Sequence, residues 1–344
     1  MSLKRITPWA VVGTLLVVLA CIPFMSFTTG GFLPYEINSP GSLQVLALVL
    51  VTAALAVSFD LVFGYTGLIS FGHALFFTLG GYGFVMVLVH TDLGFGPAVL
   101  IGLGAATLGG LLVNSVALRV AALSFAMVTL AFAEVVAIGI GRNYWGTGGE
   151  EGLAIPYEKM PEQLIGVLNT KNIYWLALAT LVVVIAVALW ATSTRLGKMW
   201  QAIRENDLRV NVMGINTYLY KLIGTTLSAL LAGICGIAYV IVLGSAVPHM
   251  SGLMFSLSLI VMVVIGGRGC IWGAALGATI YVLLEQRLPV LASSEGVKGL
   301  PEVVRIPLSE PQLLLGVAFI ALIYFLPGGI AGMFTKLRTR SVSR

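Results

Sequence analysis

Two ionisable side chains lie in apolar surroundings, where they could serve a polar path. His73 lies in the glycine-rich stretch FGYTGLISFGHALFFTLGGYG, residues 63–83, and Glu134 lies near the middle of VTLAFAEVVAIGIG. A carboxylate in an apolar helix is costly and usually faces a cavity or a partner. Glu134 therefore either lines such a path or hydrogen-bonds a neighbouring helix. Ser70 and Tyr65, beside the glycines, complete the set of candidate path residues.

His73 has three interpretations: a hydrogen bond between helices, a polar group lining a path, or a proton-coupled switch. The first is favoured, because a proton relay needs an aligned carboxylate and none lies near His73 in the sequence. Ser70 is expected to satisfy backbone groups freed by a helix break or to cap the following helix. Asp60, just before the glycines, is expected to cap a helix or to pair with a basic loop residue.

Enzymatic and metal chemistry lack a sequence basis. The three histidines fall on separate segments, and Cys21, Cys235 and Cys270 are far apart, so no metal cluster or disulfide framework is predicted. No stretch matches G-x-x-x-x-G-K-[ST], and RLGKMW comes nearest. We expect a protein that is not an enzyme, has no cofactor of its own and does not hydrolyse ATP by itself.

The composition indicates an all-α, polytopic membrane protein. Hydrophobic residues make up 58% of the 344 residues and charged residues only 10%, too little polar surface for a soluble domain. The net charge of +5 resides in short loops and at the termini. This pattern is typical of orientation signals and not of a nucleic-acid surface.

Ten spans in a single domain, residues 1–344, are predicted from apolar stretches long enough to cross about 30 Å of hydrocarbon. They lie at about 8–27, 43–63, 68–90, 95–117, 120–140, 172–192, 219–243, 252–267, 270–289 and 311–327, the first being a retained helix and not a cleaved signal. The distribution of Lys and Arg places both termini in the cytoplasm. The loops at about 141–171 and 287–310 are then external, and the loop at about 193–218 is cytoplasmic.

Glycines are expected to interrupt the helix near residues 64–72, at Gly64, Gly67 and Gly72, and further glycines up to residue 83 allow close helix packing. The motif G-x-x-G precedes a helix at residues 64–67 and again at 266–269. This echo suggests two related half-bundles, as in many transporters. The second motif predicts a tight cytoplasmic turn between two spans.

The cytoplasmic loop is predicted to contain one short amphipathic helix. Trp200, Ile203 and Leu208 would form its apolar face, and Glu205 and Arg209 an i, i+4 ion pair. Gly214 would end it. The helix either lies at the lipid headgroups or docks into a groove on a partner.

The external loop carries GTGGEEGL, residues 146–153. Its two adjacent carboxylates have three interpretations: a rim on which a binding protein sits, a gate near the solute exit, or a flexible turn with solvated acids. The residues concerned are Gly148, Gly149, Glu150 and Glu151.

Five ordered segments resemble the LivM-type permease family of branched-chain amino acid ABC importers, to which the urea importer permeases are close relatives. They are FDLVFGYTGLISFGHALFFTLGGYG, LSFAMVTLAFAEVV, GTGGEEGL, AIRENDLRVNVMGINTYLYKL with SALLAGICGIAYV, and VVIGGRGCIWGAALGA, spanning residues 43–332. The resemblance implies a permease subunit in the lipid of a bacterial cytoplasmic (inner) membrane. It also implies a LivH-type permease partner, two cytoplasmic ATPase subunits that bind ATP and Mg, and a periplasmic solute-binding protein.

By the same resemblance, the loop is the family's ATPase-coupling element, although it lacks the E-A-A run and the later L-P ending of the broader importer signature. The coupling residues are then Ala202, Ile203, Arg204, Glu205, Asn206, Arg209 and Gly214. The expected cargo is a branched-chain or other small amino acid, with urea or a short amide as the alternative. A self-sufficient channel or secondary transporter would fit the docking loop less well. A non-transporting scaffold would not need Glu134 or so many glycine breaks.

Overall fold

The computed structural model describes residues 19–24, 38–166, 169–292 and scattered positions between 313 and 332. These residues are mostly helical, as the composition predicts. The helices are α1 Pro40–Asp60, α2 His73–His90, α3 Phe95–Ala117, α4 Ala122–Gly141, α5 Thr170–Ser193, α6 Arg195–Glu205, α7 Asp207–Val212, α8 Thr217–Leu243, α9 Leu253–Gly266 and α10 Ile271–Ala292. Short 3₁₀ turns cover Ile22–Phe24, Gly149–Glu151, Tyr157–Lys159, Glu162–Leu164 and Pro248–Ser251.

Two short strands connect the loop between α4 and α5 to the end of α8. The strands β1, Leu153–Ala154, and β2, Ser245–Ala246, pair antiparallel, with Leu153 opposite Ala246. We call this end of the bundle the β end. The opposite end, which carries α6, α7 and the turn between α9 and α10, is the α6 end.

The first described span begins and ends through local chemistry. The Ser39 hydroxyl accepts a hydrogen bond from the Ser42 amide at 3.3 Å, and Pro40 occupies the first turn, where its missing N–H costs nothing. At its other end α1 widens into a π-helical turn, Leu61–Thr66, and stops at Gly67, whose φ is 75°. Glycine adopts this left-handed conformation without steric cost.

The count of about ten spans is not confirmed. Within the described residues, six helices are long and apolar enough to cross a membrane, and they match the predicted spans between residues 43 and 243. The predicted terminal spans, about 8–27 and 311–327, lie largely outside the described residues, as does the loop at 287–310 beyond α10.

The predicted separate spans at 252–267 and 270–289 are wrong as two full crossings. Helix α9 has 14 residues and is therefore about 21 Å long, too short to cross about 30 Å of hydrocarbon. It is bent by 120° relative to α10, so the pair is one broken span or a re-entrant loop. Just before α9, the Met250 carbonyl accepts a hydrogen bond from Thr78 on α2, so α9 begins against the side of α2.

The bundle is built around α1, which packs against α5, α8 and α10, while α2 packs against α3 and α8. In the most apolar part of α1, 83% of the residues are buried, compared with 28% in α3. Helices α3 and α4 therefore form an outer layer of the bundle, and many of their large apolar side chains are exposed on its surface.

Glycine contacts allow α2 to approach both neighbours closely, as predicted. A methyl group on Gly80 would lie 2.5 Å from the Cα of Gly233 on α8, and one on Gly83 would lie 3.3 Å from the Cα of Gly102 on α3. These helices meet backbone to backbone, and any side chain would push them apart.

We predict that Gly80→Ala destabilises the bundle by about 1–3 kcal/mol, because the new methyl group meets backbone atoms that cannot yield. The measurement is the midpoint of thermal unfolding of the purified protein in detergent. Gly104→Ala is the matched control, since no atom lies within 4 Å of a methyl group there. Equal midpoints for the two variants would contradict the close-packing interpretation.

Candidate functional site

The break between α1 and α2 is a compact turn whose polar groups are satisfied locally. The Gly72 amide donates a hydrogen bond to the Ser70 hydroxyl at 3.3 Å. The amides of Gly67 and Leu68 both reach the Val62 carbonyl. Ser70 thus has the structural contact expected of it, and its place on a solute path remains a prediction. Tyr65 lies in the π-helical turn and is half-buried.

Gly67 and Gly72 are both pressed against other elements. A methyl group on Gly72 would lie 2.7 Å from the Thr129 carbonyl oxygen on α4, and one on Gly67 would lie 2.8 Å from Cγ of Arg204 on α6. The break therefore brings α4 and α6 close to the ends of α1 and α2.

His73 is buried and fastens α2 to α1. Its Nε2 lies 2.9 Å from Oγ of Ser58, and its ring meets Phe59 and Phe76 edge-on. Ser58 donates its hydroxyl proton to the Leu55 carbonyl, so Nε2 of His73 acts as the donor to Ser58. The favoured interpretation, a hydrogen bond between helices, has this geometry, whereas a role in the solute path remains a prediction.

Glu134 lies half-buried on α4. Among the described residues Glu134 has no hydrogen-bond or ion-pair partner, so it does not pair with His73. Large apolar side chains on the same helix are strongly exposed, namely Leu123, Met127, Val135 and Ile138. Glu134 thus lies on a helix whose apolar surface is exposed. The role of Glu134 depends on which groups contact this surface.

Helix α6, in the loop at about 193–218, is docked on the bundle. Trp200 and Ile203 are buried, and Nε1 of Trp200 donates to the Tyr220 carbonyl at 2.8 Å. The indole packs over Gly224 on α8, where a methyl group would lie 3.0 Å from it. At the end of α6, Nη1 of Arg204 donates to the Gly64 carbonyl. One face of α6 therefore holds both α8 and the π-helical turn.

The single amphipathic helix predicted for this loop is wrong in its second half. Asn206 has an extended backbone, φ −160° and ψ 98°, which ends α6, and its side chain accepts from the Arg209 amide at 2.9 Å to cap α7. Glu205 and Arg209 consequently lie on different helices and form no ion pair. The side chain of Asn206 takes the place of a backbone carbonyl as acceptor for the Arg209 amide, which interrupts the helix.

Helix α7 buries Val210 but leaves the other apolar side chains at its two ends exposed. The exposed fractions are 77% for Leu208, 88% for Val212 and 72% for Met213, so Leu208 does not share the buried face of Trp200 as predicted. Asp207 pairs with Lys221 on α8 at 2.6 Å and anchors the helix. Gly214, with φ 82°, follows its end. The loop thus divides into a docked helix and an exposed apolar tip, defined as Leu208, Val212 and Met213.

Asp60 makes a contact that the sequence predicts only in part. It is fully buried and accepts a hydrogen bond from the Gly269 amide at 2.8 Å, so its partner is a distant backbone group and not a basic side chain. A methyl group on Gly64 would lie 2.0 Å from Oδ1 of Asp60 and 2.4 Å from the Gly269 amide nitrogen. The two G-x-x-G motifs therefore touch each other. A lone carboxylate within an apolar run was the signal available in the sequence.

The GTGGEEGL segment, residues 146–153, folds as a turn with several glycines at positive φ. Gly148 and Gly149 have φ of 79° and 61°, and the Gly148 amide donates to the Asn143 side chain at 2.9 Å. Glu150 and Glu151 are exposed. The loop is also tied down by Lys159, whose ammonium donates to the Thr91 carbonyl at 2.7 Å. The two acids are thus displayed at the β end.

The family assignment follows from comparison of the whole chain with known proteins. The model of the permease component of branched-chain amino acid transport systems matches residues 41–335. The chain belongs to this family. The LivM-type resemblance is thereby confirmed, and the residues of the break, the loop and the α9–α10 turn all lie inside the matched region.

Individual relatives agree with this family. The high-affinity branched-chain amino acid transport system permease protein LivM of Salmonella typhimurium (strain LT2) is 27% identical over 271 residues, 72% of this chain and 64% of the relative. LivM of Escherichia coli (strain K12) is 25% identical over 270 residues, with the same coverage. The LivH permease protein of the same Salmonella strain is 23% identical over 264 residues, 71% of this chain and 83% of the relative. The match thus spans slightly less than two thirds of the length of these LivM proteins.

We predict that Trp200→Ala loosens α6 from the bundle, since truncating a buried tryptophan costs about 3–5 kcal/mol. The measurement is the rate of tryptic cleavage at the basic residues between 195 and 209 in isolated membranes, expected to rise at least about tenfold. Leu208→Ala, an apolar truncation at an exposed position of the same loop, should leave the rate unchanged. A similar acceleration in both variants would show that Trp200 does not hold α6 in place.

Proposed function

We propose that this chain is the membrane-spanning permease subunit of an ATP-driven ABC importer for a branched-chain or other small apolar amino acid. Membership of the permease family supports transport, and the relatives named above are branched-chain amino acid permeases. In this proposal the chain forms half of the translocation path and hydrolyses no ATP itself.

The construction of the loop at residues 195–214 carries the proposal. A helix that receives force from a motor needs a firm attachment to the bundle and a free surface for the motor. Helix α6 supplies the attachment through Trp200, and α7 supplies the surface through its exposed apolar tip. Apolar side chains at the end of a rigid element suit a groove on a partner protein. The occupant in this proposal is one of two ATPase subunits, which hold ATP and Mg.

The translocation path is proposed to run between this chain and a LivH-type permease. The outer layer of α3 and α4 exposes large apolar side chains on a scale that suits a partner or lipid. Glu134 lies on this layer with no hydrogen-bond or ion-pair partner among the residues that the structure describes. A carboxylate there would attract the ammonium group of a passing amino acid. In the same proposal Tyr65, Ser70 and His73 line or support the inner part of the path.

Orientation follows from the basic residues. The α6 end carries Arg195, Lys198, Arg204 and Arg268, which the positive-inside rule places in the cytoplasm. The β end then faces the periplasm of a bacterial inner membrane. There Glu150 and Glu151 form a rim suited to a solute-binding protein. Both termini are proposed to be cytoplasmic.

Two alternatives differ in cargo or in energy source. A urea or short-amide importer would share every feature of the loop and would differ only in the solute. A self-sufficient channel or secondary transporter would use the helix break but would not need an exposed apolar tip on the cytoplasmic loop.

We predict that solute uptake requires both ATP and the partner subunits. The chain is reconstituted alone and with its LivH-type permease, ATPases and binding protein, and uptake of labelled leucine is measured with and without ATP. Competition by isoleucine and valine, but not by urea, is expected. A complex whose binding protein carries a blocked solute site serves as the control. Uptake by the chain alone without ATP would reject the importer, and competition by urea would reject the amino acid cargo.

We predict that Val212→Asp weakens binding of the ATPase subunits at least about tenfold, because a charge would be buried in an apolar groove. The measurement is the yield of ATPase subunits that copurify with the tagged permease. Gln163→Asp, which adds the same charge to an exposed position at the β end, should have no effect. Undiminished copurification with Val212→Asp would remove α7 from the ATPase contact.

A further inference from the structure

Three segments distant in the sequence meet at the α6 end, at a site that we call the junction. They are the end of α1 with its π-helical turn, the end of α6, and the turn between α9 and α10. Asp60 and Gly64 represent the first, Arg204 the second, and Arg268 and Gly269 the third. The three segments are held together by polar contacts and not by apolar packing alone.

The two oxygens of the Asp60 carboxylate have different surroundings. Oδ1 accepts the hydrogen bond from the Gly269 amide at 2.8 Å. Oδ2 is equally buried and has no hydrogen-bond partner among the described residues, although the Cys270 amide lies near enough to stabilise the carboxylate. A buried carboxylate oxygen left without a partner is costly. Asp60 therefore has an open position for a donor.

Two cations lie beside this open position without occupying it. The guanidinium groups of Arg204 and Arg268 are both close enough to Asp60 to interact electrostatically. Arg204 instead donates to the Gly64 carbonyl, and the guanidinium carbon of Arg268 lies 5.2 Å from the centroid of the Phe63 ring. Arg204 has further N–H donors besides the one it uses, so a short displacement could bring it to Asp60.

We propose that Asp60 is a positioning residue that relays movement of the cytoplasmic loop to the broken helix. In the arrangement described here, Arg204 binds the Gly64 carbonyl. When the loop moves, Arg204 transfers to Oδ2 of Asp60, and α1 and the α9–α10 turn move with α6. The relay rests on the proposed importer function, because it needs a partner that drives the loop. Alternative polar contacts of one side chain are a common basis for two-state elements.

Helix α6 can transmit such a movement because it is attached on two sides. Trp200 fixes one turn of it to α8, and Arg204 lies one turn further on against the π-helical turn. Gly64 and Gly269 keep the junction tight, since a methyl group on Gly269 would lie 3.0 Å from Nη1 of Arg204. A small rotation of α6 therefore changes the contacts of Asp60 directly.

The relay differs from a purely static role in its response to Asp60→Asn. Asparagine keeps an acceptor oxygen for the Gly269 amide but removes the charge that attracts Arg204. A residue that only caps the turn would tolerate this change. A relay would lose the second of its two states.

The experiment uses the complete transporter in proteoliposomes, with labelled leucine uptake and ATP hydrolysis measured on the same vesicles. Asp60→Asn and Arg204→Gln should each lower the amount of leucine taken up per ATP about tenfold, within the range typical of coupling between sites. The double variant should be no worse than either single variant, because both remove one contact. ATPase subunits should copurify normally in all three.

Lys198→Gln is the matched control for Arg204→Gln. It removes a positive charge from an exposed position of the same helix α6, outside the junction, and uptake per ATP should stay at the wild-type value. An equal loss in this control would overturn the relay, since the effect would then not be specific to the junction.

Other outcomes also decide the matter. Wild-type uptake per ATP with Asp60→Asn would reduce Asp60 to a cap. If that variant fails to assemble, Arg204→Gln decides, and either normal coupling or loss of the ATPase subunits in it overturns the relay. Additive losses in the double variant do the same. Failure of the proposed function appears differently, as ATP-independent uptake by the wild-type complex.

Discussion

A backbone that leaves helical geometry inside an apolar bundle must find partners for the amides and carbonyls that it frees, and the site between α1 and α2 depends on this constraint. The partners come from near and far. Val62 and Ser70 accept hydrogen bonds from amides within the break, whereas the Gly64 carbonyl accepts one from Arg204 on α6. Asp60 in turn serves an amide of the α9–α10 turn. Satisfying the break thus ties three regions of the chain together.

Close approach of backbones is the second requirement, and glycine provides it at several levels of the bundle. At the junction, Gly64 leaves room for the carboxylate of Asp60 and the amide of Gly269 at once. Along α2, Gly80 lets the backbone of α8 come into contact. In a membrane the hydrophobic effect does not drive helices to associate with one another, because lipid tails are as apolar as the helix surfaces. Close van der Waals contacts therefore supply much of the packing energy. The abundance of glycine in this apolar chain therefore reflects packing as well as flexibility.

The loop at residues 195–214 combines a buried attachment with an exposed apolar surface. Trp200 anchors α6 by burial and by a hydrogen bond, while the exposed apolar tip, Leu208, Val212 and Met213, remains uncovered. Asn206 makes this division possible, since its side chain caps a new helix and turns the chain between the two faces. His73 also serves as an attachment, because its hydrogen bond to Ser58 fastens α2 to α1 beside the break.

The sequence by itself determined the class of the protein, the family, the position of the break and the six spans between residues 43 and 243. Composition, apolar segment length and ordered motifs are local properties, and they can be read along the chain. Tertiary structure decided the partners: Gly269 for Asp60, Ser58 for His73, Gly64 for Arg204, and the 120° bend that makes α9 and α10 a broken pair. The sequence also left open that Leu208 and Trp200 lie on different helices, which the capping residue Asn206 separates. The Arg204–Gly64 and Asp60–Gly269 contacts join residues 140 and 209 positions apart, and they depend on how helices cross, which no local pattern encodes.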